Sequence, residues 1–165
     1  GFLVQYPDTY GHVRDLAPLI ERAHNANTLV AVASDLLALT MLVWVYMYYH
    51  RLTYIARNRV DPETLKSGIA NTAELPSNLV DPSNNLKNLF EMPVLFYAAV
   101  LLTLVMLVQD PWLVALAWGF VVFRAVHSFI HCTYNNVNHR FVAYALSCLF
   151  LIFMWIRLGS FILAN

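Results

Sequence analysis

The sequence predicts an all-α integral membrane protein, a bundle of four transmembrane helices. Three observations lead there. Hydrophobic residues fill 59% of the 165 positions and charged residues only 12%, about half the roughly 25% charge of an ordinary soluble domain. Mean hydropathy is +0.56. The apolar residues also gather into stretches close to the roughly 20 residues that carry a helix across a bilayer core. The predicted helices cover about residues 29–50, 85–108, 112–132 and 140–163.

Residues 1–28 are polar, with Pro7, Asp8, Asp15, Pro18, Glu21 and Arg22. They lack the basic start and compact apolar core of a signal peptide. They are expected to lie outside the bundle, with 29–165 forming the membrane domain. The chain opens on Gly1, as a processed or incomplete start would. The first helix carries one acid, Asp35, near the end where interfacial water or one hydrogen bond satisfies it.

Residues 51–84 hold Pro62, Gly68, Pro76 and Pro82 with charges of both signs. They are too polar to span and too long for a tight turn, so a loop is expected. Gln109-Asp110-Pro111 and Thr133 to Asn138 form the other connections. Such short links make consecutive helices antiparallel neighbours. Arg51, Arg57, Arg59 and Lys66 make 51–84 the most basic connection, and His139 and Arg140 flank the last turn. The positive-inside rule then places loop 51–84 and the 132–140 turn in the cytoplasm. Tyr48, Tyr49, Trp112, Tyr134 and Trp155 lie mostly near segment ends, where interfacial aromatics are favoured.

Formal net charge is zero, and no basic footprint for a nucleic acid is present. Cys132 and Cys148 lack CxxC spacing and read as packing thiols. Gly119 and Ser147 are small enough to let helices approach closely.

The expensive residues are those at membrane depth. An ionisable side chain there costs at least about 2.5–3.5 kcal/mol on insertion scales, so it is rare unless paired or functional. Arg124, His127 and His131 follow one another at three and four residues and share one helix face. Asn88 and Glu91 share a face of the second helix. Arg140 opens the fourth. The topology brings all three groups to one end of the bundle. Two readings stay open. Glu91 could pair with Arg124 in a register-fixing clamp with hydrogen-bonded Asn and His, or the groups could line a ligand pocket. A metal held by His127, His131 and Glu91 or His139 is disfavoured, since no HExxH occurs.

The run Asn88-Leu89-Phe90-Glu91-Met92-Pro93-Val94-Leu95-Phe96-Tyr97 resembles the second-helix signature of the MAPEG family, membrane-associated proteins in eicosanoid and glutathione metabolism. So do Arg124-Ala125-Val126-His127-Ser128-Phe129-Ile130-His131 and Tyr134-Asn135-Asn136-Val137-Asn138-His139-Arg140-Phe141. The resemblance covers about residues 29–163 and is nearest the bacterial branch, which implies a bacterial plasma (inner) membrane. Residues 1–28 carry no such resemblance. The family implies a homotrimer that binds glutathione between subunits near the cytoplasmic face and conjugates or reduces lipophilic electrophiles. By that resemblance Asn88, Glu91 and Arg124 would hold glutathione and Arg140 would stabilise its thiolate. Tyr134, His127 and His131 would line the pocket. Asn84 and Lys87 stand near where better-known members carry an Arg, and His127 and His131 replace two tyrosines. These histidines could act as general bases, with pKa values ordinarily near neutral, or only hydrogen-bond across a subunit boundary. The Asn84 departure also leaves room for a different class, a non-catalytic subunit of a larger membrane complex.

Overall fold

The computed structural model describes residues 17–59 and 76–164. The readings on 1–16 and on 60–75, including Pro62, Lys66 and Gly68, fall outside the described residues. Five helices follow in order: α1 (Ala17–Asn58), α2 (Ser77–Leu89), α3 (Met92–Val105), α4 (Pro111–Cys132) and α5 (Val137–Ala164). Among the described residues there is no strand. Four spans among the described residues are long and apolar enough to cross a membrane, because α2 and α3 form one broken span, Ser77–Val105.

The helices run longer than hydropathy predicts. α1 is 42 residues, roughly 60 Å at the α-helical rise, against a hydrocarbon core of about 30 Å. It begins at Ala17, inside the segment expected to lie outside the bundle. Ala17, Leu19, Glu21, Arg22, Ala23 and Ala26 are good helix formers, and Pro18 falls in the first turn, where its missing N–H costs nothing. Residues 51–58 and 77–84, expected as loop, are also helical. Hydropathy marks where lipid begins, and a helix does not have to stop there. Arg57 in the last turn of α1 complements its dipole. Arg51 Nη2 donates to Ser83 Oγ at 3.4 Å, tying the end of α1 to α2.

The inward face of α1 is written in its spacing. Leu29, Val32, Leu36, Thr40, Val43 and Met47 are buried, at steps of three and four, one stripe of a helix. Leu37, Met41, Leu42 and Val45, between them, are exposed and face the lipid. Leu29, Val32, Leu36 and Val43 of that stripe join one core cluster with Phe96 of α3, Phe120 of α4, and Met154 and Leu158 of α5. Phe96 and Phe120 stack with ring centroids 4.8 Å apart.

Pro93 breaks the second span. It has no N–H and its ring collides with the carbonyl four residues back, so the helix cannot run straight through. The chain resets at Glu91, with φ −95° and ψ −91°. α3 ends in a Schellman-type cap: Leu107 takes φ 55°, its N–H donates to Leu104 O at 3.2 Å, and Val108 N–H donates to Thr103 O at 3.1 Å. Asp110 then caps α4, its Oδ1 accepting from Trp112 N at 3.0 Å, with Pro111 in the first turn. Its Oδ2 accepts from Arg157 Nε of α5, a salt bridge across the bundle.

The α4–α5 hairpin is the tightest seam. A Cβ added at Gly119 would collide with the Phe150 ring, so the small-residue expectation holds there for a stated reason. Ser147 is fully buried and returns its hydroxyl to Tyr144 O at 2.7 Å.

Candidate functional site

The site stands where α2, α4 and α5 meet, at the end of the bundle carrying the α4–α5 turn. Position on α4 follows from spacing: Arg124, His127, Ser128 and His131 lie on its inward face and are buried to 0%, 2%, 2% and 3% exposure. α5 returns antiparallel after a four-residue link, residues 133–136. Asn135 takes φ 44° there, a conformation Asn tolerates better than most residues. Its N–H caps Ile130 O at 2.8 Å, and Asn136 Oδ1 accepts from Asn138 N and His139 N to start α5. One turn on, Arg140 is aimed back at α4.

Arg140 is the hub. Its Nη1 donates to Asn135 Oδ1 at 2.7 Å and to His131 Nε2 at 3.3 Å. Its carbonyl accepts from His127 Nδ1 at 3.0 Å. Asn88, His127, Val137, Arg140, Phe141 and Tyr144 border a cavity of about 170 Å³. Three sequence-predicted residues, Asn88, His127 and Arg140, are therefore brought together from three helices.

Arg124 lies one turn deeper. Its guanidinium carbon sits 4.8 Å from the Tyr144 ring centroid and 5.6 Å from that of Phe120. Neither Nε, Nη1 nor Nη2 has a hydrogen-bond partner. A desolvated cation–π contact offers about 2 kcal/mol or more, against the several that an unpaired buried charge costs. The arginine is held by ring faces while its donors stay unused. His127 Nε2 and His131 Nδ1 are likewise buried without partners.

Within the chain the Glu91–Arg124 clamp, one of the two open readings, does not form. Among the described residues the carboxylate makes no ion pair with Arg124 or Arg140. It lies in the exposed break between α2 and α3, near enough to act on Arg124 through space without touching it. The reason is local: Pro93 resets the backbone at Glu91, so Asn88 and Glu91 no longer share one helical face. Tyr134 is also outside the cavity. It is exposed on the turn and its hydroxyl meets His139 Nδ1 at 3.2 Å. No group of three or more metal-ligating side chains occurs among the described residues.

Two residues of the site were not anticipated. Tyr144 follows Arg140 by four, so it shares that helix face, a signal available in the spacing. Asn135 sits in the quoted Tyr134–Phe141 motif, but its hold on Arg140 depends on the turn conformation. A second polar chain lies alongside: Ser128 Oγ donates to Asn85 Oδ1 at 3.3 Å, and Asn85 Nδ2 to Cys132 Sγ at 3.4 Å. These groups satisfy one another, and Cys132 is a packing thiol.

Comparison with known proteins decides the family. The MAPEG profile matches residues 29–160, through all four spans and every residue of the site. The chain belongs to the MAPEG family. It is therefore an integral membrane protein of that family, with four apolar spans among its described residues. The N-terminal segment, without a resemblance by inspection, has one: residues 1–44 match the glycine cleavage system P-protein. The glycine dehydrogenase (decarboxylating) of Photobacterium profundum is 67% identical over 42 residues, 26% of this chain and 4% of that protein. That of Psychromonas ingrahamii is 62% identical over 42 residues, with the same shares. The chain thus spans about 4% of the length of these curated relatives. The two family matches overlap at residues 29–44, the first membrane-embedded turns of α1. No solved structure matches.

Proposed function

We propose that this MAPEG protein binds glutathione at the α2–α4–α5 site and conjugates it through sulfur to, or uses it to reduce, a lipophilic electrophile dissolved in the bilayer. The protein would act as a homotrimer, with the site facing the cytoplasm and the tripeptide between neighbouring subunits. One observation carries this reading. Arg124 is fully buried with every guanidinium nitrogen unpartnered, one helical turn beneath a cavity lined by Asn88, His127 and Arg140. Such an arrangement is costly for an empty protein and suited to an anion.

Glutathione carries two carboxylates and one ammonium. A guanidinium receives a carboxylate in forked geometry. Arg140 stands at the cavity as a permanent cation, and a thiol with an ordinary pKa near 8.5 is more fully thiolate beside one. Glu91, exposed at the break, is free to receive the ammonium. His131 would hold Arg140 in place, and Tyr134 would meet the tripeptide from the turn.

The test is thiolate absorbance in the ultraviolet as detergent-solubilised protein is titrated with glutathione. A saturable signal that disappears in Arg140→Ala supports the enzyme. A second reading, an accessory subunit that keeps the fold, is favoured by the unpaired Glu91 and by Arg140 already being engaged with Asn135 and His131. No signal at millimolar glutathione selects it.

A further inference from the structure

We infer that His127, and not His131, is the base that takes the thiol proton, and that the backbone carbonyl of Arg140 sets it up to do so; the inference rests on the glutathione reading. Both rings are buried on the same face of α4, one turn apart. Their hydrogen bonds differ in kind. Arg140 Nη1 is only a donor, so His131 Nε2, 3.3 Å away, must accept. The His131 lone pair is thereby consumed and its proton sits on Nδ1. The Arg140 carbonyl is only an acceptor, so His127 Nδ1, 3.0 Å away, must donate. A neutral His127 bonded this way carries its lone pair on Nε2. That nitrogen is buried and has no partner, and the ring borders the cavity with Arg140, Asn88 and Tyr144. One residue thus supplies both the cation for the thiolate and the carbonyl that orients the base. A base must be fixed in the right tautomer and within reach of the proton it removes.

The step balances without a further reactant. The S–H bond breaks and its proton goes to His127 Nε2, leaving the electron pair on sulfur beside Arg140. In addition to an α,β-unsaturated carbonyl, sulfur bonds to the β-carbon and the displaced π pair moves toward the carbonyl. The proton then returns from Nε2 to the α-carbon. The ionisable groups around the ring are Arg124 and His131 on α4 and Arg140 and Tyr144 on α5; α2 contributes the uncharged Asn88. The two glutathione carboxylates and the new thiolate offset the transient imidazolium among these cations.

The experiment uses the full chain in detergent, with glutathione and trans-2-nonenal. His127→Gln should bind glutathione by calorimetry within about threefold of wild type. Its kcat at neutral pH should fall about 10²-fold or more. Its log kcat should rise with pH at a slope near one where wild type is level, because hydroxide replaces the lost base. Imidazole in the buffer should restore part of the activity of His127→Ala. In wild-type protein, ¹⁵N-histidine spectra should show His127 protonated at Nδ1 alone, a readout independent of any variant's folding. An unchanged kcat in His127→Gln would overturn the assignment. So would loss of kcat and binding together without imidazole rescue, or a His127 protonated at Nε2. Wild-type protein that binds no glutathione overturns the functional reading and this inference with it. Wild-type protein that develops thiolate while His127→Gln keeps its kcat overturns the inference alone.

Discussion

Each end of the bundle carries arginines, and the two ends use them differently. At the Asp110 end, Arg157 donates Nε to a nearly buried carboxylate that also caps α4. Each oxygen of Asp110 has its donor. At the other end, Arg124 has buried donors and nothing to give them to, and His127 and His131 each keep an idle ring nitrogen. A saturated pair fixes two helices and needs nothing more. An unsaturated cluster in lipid is expensive, and it persists where another molecule completes it. The contrast separates a structural clamp from a binding site better than charge alone, since both ends are charged. Arg157 is about half exposed and paired, whereas Arg124 is buried and makes no ion pair.

The sharpest way to break the comparison is Arg124→Met, a swap of similar reach into an apolar niche. If Arg124 awaits a ligand, the variant loses glutathione affinity about tenfold or more, roughly 1.4 kcal/mol. Its thermal midpoint should stay the same or rise, because an uncompensated buried charge has gone. Calorimetry and a melting curve in detergent read both. A lowered midpoint with unchanged affinity would make Arg124 a clamp after all. Next in size is Gly119→Leu on the seam that sets the separation of α4 and α5. Driving a side chain into Phe150 should destabilise by about 1–3 kcal/mol, seen as a lower unfolding midpoint. It should also weaken glutathione binding, since the separation of α4 and α5 positions His127 against Arg140. The smallest effect is expected from Asp110→Ala. Loss of the cap should cost about 1 kcal/mol of stability and leave glutathione affinity within about twofold. A larger loss of affinity would show that the two ends are coupled.

The N-terminal segment is a different case. Residues 29–44 match both a membrane family and a segment of a glycine cleavage protein. The structure makes them the first buried turns of α1, with Leu29, Val32 and Leu36 inward. Asp35 is exposed on the outward side. An alternation of apolar residues at three and four suffices for packing against α3 and α4, whatever other context the same residues occupy.

Inspection of the sequence went furthest on α4. The steps between Arg124, His127 and His131 place them on one face, and the cost of that face in lipid marks it as inward. The same logic singled out Asn88 and Arg140, which border one cavity with His127. Spacing placed Glu91 on one face with Asn88, but the backbone resets at Glu91 ahead of Pro93 and sets its carboxylate apart from Arg124 within the chain. Motif membership said nothing about the direction of Tyr134, which is exposed on the turn against His139. Inspection shortened α1 and α2, because hydropathy records the limits of lipid contact and not of the helix.

The sequence by itself determined the class of solvent, the number of spans, their order, and which polar residues are too costly to face lipid. These follow from composition and periodicity, which are local properties. Only the tertiary structure decided which of those residues meet, that Glu91 stays apart from Arg124, and that a single carbonyl on α5 sets His127 apart from His131. Hydrogen-bond partners and tautomers depend on ångström-scale approach between helices distant in sequence, and no local pattern encodes that distance.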